Sequence, residues 1–321
     1  MGKAVSQKNK KKIHLADFSG IILGVLAVII LSIANPKFIS GTNLGNLGQQ
    51  ASINVLLSLG MLLVIVTGGI DLSVGTIAGF AGVLVAGYIT QGMPVFWAIM
   101  LVLLIGALLG AFSGVMVVYG GVAPFIATLC MQTIARGFTL LYTHSRSIFV
   151  SDETFLWIGN AAAFGIPIPI IIMIVLTIIL QFVMRKTTYG RSLYAYGGNP
   201  NASYLAGINT NLVVLKAYIY SAIFASFAGI VLASRMAVGS PLVGPGMEGN
   251  AIAAVVIGGA SLAGGTGNAI NTLIGALIIG SISNALNLFG MQSYLQKVVI
   301  GFITLGAVLI RSLPILGSFF P

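Results

Sequence analysis

Charge is what this chain has least of. Asp, Glu, Lys and Arg make up 6% of its 321 residues, where an ordinary soluble domain carries roughly a quarter. Residues 72–135 and 249–296 hold no formal charge, and no soluble surface can be built from such stretches. Histidine and cysteine are almost as scarce: His14 and His144 lie far apart, and Cys130 is the single thiol. That excludes a disulfide framework and a metal cluster, and leaves no nucleophile-and-base constellation for an enzyme. Cys130, inside an apolar run, is read as structural filler. Also missing is a phosphate-binding loop of the G-x-x-x-x-G-K-[ST] type, and "GGTGNA" lacks the spacing and strand context of a dinucleotide site. The chain is expected to carry no catalytic residue, metal or cofactor, and not to hydrolyse ATP itself.

What is present is apolar sequence, 58% of the chain. A membrane-spanning helix needs roughly 20 mostly apolar residues, and about ten stretches qualify. They are 15–34, 51–67, 72–90, 94–118, 123–142, 165–184, 212–238, 251–264, 269–289 and 294–310. The fold class expected is an all-α, polytopic transmembrane bundle with both termini on one side of the bilayer. Its parts are a basic segment 1–14, a membrane domain 15–311 with a cytoplasmic loop 185–211, and a tail 312–321. Stretch 15–34 is read as an uncleaved first span, although Ser32-x-Ala34 loosely resembles a signal-peptidase site.

The net charge of +10 does not point to nucleic acid. Lys3, Lys8, Lys10, Lys11 and Lys12 form one cluster before the first apolar stretch, the signature of a cytoplasmic N-terminus. That topology puts Arg185, Lys186, Arg191 and Arg311 inside and Asp152, Glu153 and Glu248 in outer loops; Lys37 and Arg146 run against the bias. Lys216, Arg235 and Lys297 fall near span ends, where long basic side chains reach the interface.

Forty-two glycines appear in small-residue rows such as "GALLGAFSG" and "GALIIGSISNA". Such rows let helices approach closely where no hydrophobic drive holds them together. Two clusters stand apart. "GGIDLSVGT" (Gly68, Gly69, Asp71, Ser73) and "GGASLAGGT" (Gly258, Gly259, Ser261) share the pattern Gly-Gly-x-x-Leu-x-x-Gly-Thr between apolar runs. Paired glycine interruptions point to broken helices and a transport path. Both clusters run in the same sense in the expected topology, so they are either a repeat or shared turn chemistry. Asp71 is read as a helix cap near Leu72 or a path residue. Arg136, twelve residues into its span, is read as facing protein or water, anchored by backbone carbonyls or an acid, or serving the path.

The longest polar interruption is "TTYGRSLYAYGGNPNASYLAGIN". Asn199 suits an N-cap, Pro200 the first helical position and Gly207 the left-handed residue that ends a helix. A helix of about two turns between them is marginal alone in water, so it needs something to pack against. It offers Tyr204 and Leu205 as apolar area and Ala202 and Ala206 as a small-residue strip.

"GGIDLSVG", "PFIATLCMQTIARG", "YGRSLYAYGGNPNASYLAGIN" and "AIAAVVIGGASLAGGTGN" together resemble the sugar-type ABC importer permeases of the ribose, xylose and arabinose systems, over nearly the whole chain. The basic segment 1–12 matches no motif of that family. The resemblance implies a type II-like permease that moves a monosaccharide, ribose or a related pentose, by alternating access. It implies three protein partners: an ABC ATPase with two nucleotide-binding domains, an extracytoplasmic sugar-binding protein and a second permease copy. It makes the loop an ATPase-coupling element with Gly190, Arg191, Asn199, Pro200, Ala202, Ser203, Leu205, Ala206 and Gly207 as its residues. The competing reading, an ion-coupled secondary sugar transporter, requires intramembrane acids, of which the sequence offers only Asp71.

Overall fold

The computed structural model describes residues 25–312, apart from 27, 31 and 34. The lysine cluster, His14, most of stretch 15–34 and residues 313–321 lie outside the described residues. From residue 41 on, the helices are α1 (Gly41–Val66), α2 (Val74–Thr90), α3 (Val95–Val118), α4 (Pro124–Thr143), α5 (Glu153–Asn160) and α6 (Ile168–Lys186). They continue with α7 (Thr188–Gly198), α8 (Pro200–Leu205), α9 (Thr210–Met236), α10 (Met247–Ile257), α11 (Ala269–Leu288) and α12 (Ser293–Ser312).

Helix α9 is the axis of the bundle. Asn209 caps it by accepting the Leu212 amide at 3.0 Å, and Ala237 ends it in the left-handed conformation. Its small residues Ala217, Ala222, Ala225, Ala228 and Gly229 are sealed from solvent, which lets three helices come close. On α3, Gly106, Gly110 and Gly114 repeat every four residues and lie against Ser226, Tyr218 with Ala222, and Leu215. A Cβ at Gly60 of α1 would stand 2.8 Å from the Ser221 carbonyl oxygen. Gly229 abuts the backbone of Ala78 in α2. These pairings run α1 and α3 antiparallel to α9 and α2 parallel to it, and they confirm packing as the use of the "GALLGAFSG" row.

Six helices, α1, α3, α4, α6, α9 and α11, are long and apolar enough to cross a membrane. Helices α2 and α10 and residues 294–303 are apolar but shorter. The expected stretch 51–67 starts ten residues earlier, at Gly41, because its polar residues find partners. Ser40 caps the helix, and Asn43 exchanges amide hydrogen bonds with Asn284 of α11 at 2.9 and 3.0 Å. The stretch 251–264 is cut short: α10 ends at Ile257, and Gly259 turns the chain with φ +90.

Two helices have no counterpart in the sequence reading. α5 is amphipathic, with Phe155 buried and Trp157 exposed, and Asp152 caps it through the Phe155 amide at 2.9 Å. α7 occupies the first half of the polar interruption.

At the end of the bundle remote from α7, Ile148 and Phe149 (β1) pair antiparallel with Val238 and Gly239 (β4). A two-residue hairpin, Ala162–Ala163 (β2) with Ile166–Pro167 (β3), precedes α6. After β4 the chain does not stay at that end. Gly239 lies against Gly82 and Val83, Val243 against Gly79, and Gly244 against Gly75. Residues 239–244 therefore run back along α2 into the bundle before α10 begins.

Candidate coupling surface and helix breaks

The polar interruption folds as two helices in series. Thr187 opens α7 by accepting the Gly190 amide at 3.2 Å. Gly190 is required there, since a Cβ would strike the Met184 carbonyl group of α6. Arg191 is exposed and donates to the Lys186 carbonyl at 3.3 Å, so both residues shape the α6 to α7 turn. α7 is glycine-rich and weak by propensity, and tertiary contacts hold it: Leu193 is fully buried, and the Tyr194 hydroxyl donates to the Gly267 carbonyl at 2.7 Å. Burial pushes the Tyr194 phenol up, although Arg185 nearby opposes it. The hydroxyl therefore keeps its proton.

Helix α8 carries the caps read from the sequence. Asn199 Oδ1 accepts the Ala202 amide at 3.0 Å, and Pro200 takes the first position. Gly207, φ +80, donates to the Tyr204 carbonyl at 2.9 Å, and Ile208 to Ser203 at 3.1 Å. Six residues cannot hold a helix by their own hydrogen bonds. Only Ser203 faces inward, while Tyr204 is 71% and Leu205 85% exposed, and Ala202 and Ala206 are exposed beside them. The apolar area of α8 is thus turned away from its own bundle. Tyr204 and Gly207–Asn211 also border an open recess of about 460 Å³.

The two glycine clusters meet each other and meet α7. The Gly265 amide donates to the Val66 carbonyl at 2.9 Å, joining the second cluster to the end of α1. Gly197, near the end of α7, fits between Val66 and Gly265, and Gly264 approaches the Gly68 amide. Both clusters end a helix by the same chemistry, one residue out of register. Thr67 and Gly68 close α1, with Gly68 at φ +82, whereas Gly258 and Gly259 close α10, with Gly259 left-handed. Thr76 then lies within α2 but Thr266 precedes α11. Their likeness is shared turn chemistry rather than a register-preserving repeat. Gly258 also has a packing use, against the Asn271 carbonyl, and the Ser261 hydroxyl accepts the Ala263 amide at 3.2 Å.

Asp71 sits in the gap between α1 and α2 at 1% exposure. One carboxylate oxygen accepts the Ser73 amide at 3.0 Å and its hydroxyl at 2.5 Å; the other accepts the Ser221 hydroxyl at 2.8 Å. Asp71 therefore fixes the turn into α2 and pins it to α9. It is not itself the cap, because Ser73 holds that position and makes no side-chain cap bond. Ser221 lies near the middle of α9, a helix roughly 40 Å long at ~1.5 Å per residue, so the break stands level with the middle of that helix. Arg136 donates to the Pro241 carbonyl, the backbone anchor anticipated for it.

One residue needs correcting and one was missed. Glu248 is not in an outer loop: it opens α10 beside Gly75, and its Oε1 accepts Gln132 Nε2 at 3.1 Å. The sequence placed it outside because nothing in "GSPLVGPGMEGN" betrays a segment that turns back into the bundle. Gln132, a single polar residue in "PFIATLCMQTIARG", gave no signal of its own. Cys130 is exposed.

Comparison with known proteins agrees with this arrangement. Residues 43–308 match the family described as branched-chain amino acid transport system / permease component. The chain is 42% identical over 299 residues to the ribose import permease RbsC of Haemophilus influenzae, covering 92% of this chain and 93% of that protein. To RbsC of Bacillus subtilis it is 43% identical over 313 residues, 95% and 96% of the two chains. The D-allose transport permease AlsC of Escherichia coli is 37% identical over 288 residues, 89% and 88%. No solved structure matches the chain. The class set by bundle and breaks is a multi-pass helical transport permease of the inner membrane. Within that class, the chain belongs to the permease-component family whose model it matches.

Proposed function

We propose that the cargo is a monosaccharide, ribose or a related pentose, carried through a path between two copies of the chain. The protein is the membrane permease subunit of an ABC sugar importer. The observation that carries this reading is α8: a capped helix too short to stand alone, with Tyr204 and Leu205 turned outward to a partner. Its partners are an ABC ATPase with two nucleotide-binding domains, which hydrolyses the ATP, and an extracytoplasmic sugar-binding protein. The ten-span count, with the first span at 15–34 and the termini and α7 to α8 in the cytoplasm, belongs to the same proposal. Residues 199–207 make the ATPase contact, Gly190 and Arg191 orient it, and the breaks at Gly68, Gly69, Asp71 and Ser73 and at Gly258, Gly259 and Ser261 are where the path opens and closes.

Nothing in the site favours an ion-coupled transporter. Asp71 is closed off by two serines.

Reconstituted vesicles holding the permease, its ATPase and its binding protein are expected to accumulate radiolabelled ribose only with ATP. Uptake by the permease alone, driven by an ion gradient, overturns the ABC reading. Gly207→Pro removes the amide that closes α8, and Ala202→Asp puts a charge on its exposed face. Both variants are expected to reach the membrane while ATP hydrolysis no longer drives uptake. Wild-type uptake and sugar-stimulated hydrolysis in both would refute the coupling role.

A further inference from the structure

Charged side chains are not left facing lipid, yet Arg136 and Glu248 are only partly buried and stand deep in the bundle. At Gly75 a Cβ would strike the Gly244 carbonyl, and the Glu248 carboxylate lies beside the same spot, Oε2 at 2.5 Å. Gly75 is one turn from Ala78, which abuts Gly229 of α9. Glu248 therefore lies within about one to two turns of the middle of α9, at ~5.4 Å per turn. Gln132, also half-buried, bridges α4 to it, and Arg136, one turn further along α4, holds the Pro241 carbonyl.

Each charged residue is followed by a glycine. Gly137 and Gly249 are helical, have ordinary negative φ, and have nothing within 4 Å of where a Cβ would stand. Neither packing nor backbone geometry requires glycine there, and a mid-helix glycine weakens a helix. Around both glycines, which are exposed, the chain leaves its surface uncovered next to the polar residues in sequence.

We propose that Gln132, Arg136 and Glu248 form a recognition point in the transport path for a neutral polyhydroxyl molecule, with Gly137 and Gly249 bare to admit it. The proposal rests on the permease reading above and assigns its path a specific station. Its chemistry fits hydroxyl groups. The Glu248 carboxylate accepts from Gln132 and Gly246 and retains lone pairs, since a carboxylate offers about four acceptor sites. Gln132 uses its amide nitrogen, which leaves its carbonyl oxygen as an acceptor. Arg136 uses one nitrogen on Pro241, and the guanidinium has further N–H donors. A neutral polyhydroxyl molecule, whose hydroxyls both donate and accept, can use the acceptors of Glu248 and Gln132 and the donors of Arg136 together.

The test uses the full importer in vesicles with radiolabelled ribose. Gly249→Leu fits the open space and strengthens α10, so expression, melting temperature and crosslinking between copies are expected to hold. Uptake falls about tenfold or more. Glu248→Gln keeps an oxygen for the Gly246 amide and is expected to lower uptake about tenfold, the scale of one lost hydrogen bond to a hydroxyl. ATPase stimulation by the loaded binding protein persists in both, since α8 is untouched. Wild-type uptake in both variants overturns the proposal. Loss of crosslinking in Gly249→Leu also overturns it, because the glycines then serve contact between copies. Absence of ATP-driven uptake in the wild-type importer is a separate result that fails the permease reading, and this station with it.

Discussion

Gly197→Ala is expected to disconnect ATP hydrolysis from transport, while Gly198→Ala, one residue on, behaves as wild type. At Gly197 an added methyl group strikes the Val66 carbonyl oxygen and the Gly265 backbone; at Gly198 it meets nothing within 4 Å. The obstructing atoms at Gly197 are backbone, which does not rotate aside, so either α7 lifts off the end of α1 or the strand of chain at Gly265 moves. Overpacking of this kind costs about 1–3 kcal/mol, enough to displace a short helix held by Leu193, the Tyr194 to Gly267 bond and the packing of Tyr189 and Tyr196. Because α8 follows α7 directly, a shift of α7 breaks the rigid line from the ATPase surface to both helix breaks. Uptake in vesicles should fall by tenfold or more while ATP hydrolysis continues, and melting in detergent should move down. Equal behaviour of the two alanine variants, in uptake and melting, would refute the contact's role.

How legible these features were differs by residue. The α8 caps could be read because Asn, Pro and Gly are local signals: each acts on amides within three residues of itself. The six long apolar helices could be read because apolar length is a local property too. α7 could not, since "TYGRSLYAYGG" has three glycines and becomes helical only by placing Leu193 and Tyr194 against the bundle. Glu248 was misplaced for a related reason. Its depth follows from residues 239–244 lying on α2, where Gly75, Gly79 and Gly82 supply a bare surface some 160 residues earlier in the chain. In the sequence those glycines look like any other small-residue row. Asp71 could be named as important but not interpreted, because its decisive partner is Ser221, 150 residues away.

That partner makes Asp71→Leu the substitution with the largest expected loss of stability. The leucine removes the acceptor for three donors at once, the Ser73 amide, the Ser73 hydroxyl and the Ser221 hydroxyl, all sealed from solvent. Leaving one buried donor unsatisfied costs about 1–3 kcal/mol, and bulk water cannot reach this site to replace the lost partner. The turn into α2 then has no clamp, and α2 loses its hydrogen-bonded pin to α9, keeping only the small-residue packing of Ala78 on Gly229. Little properly folded protein should be recovered from membranes, and what is recovered should melt early and transport nothing. Asp71→Asn separates structure from charge. Its amide oxygen still accepts from Ser73, and the Ser221 hydroxyl can rotate to accept from the new amide nitrogen. Folding and uptake are therefore expected to stay within about threefold of wild type, since one neutral hydrogen bond replaces a charge-assisted one at a difference of roughly 1 kcal/mol or less. If Asp71→Asn folds and melts normally but carries no sugar, the carboxylate's charge takes part in transport. The pin between the helix break and α9 would then be only part of what Asp71 does.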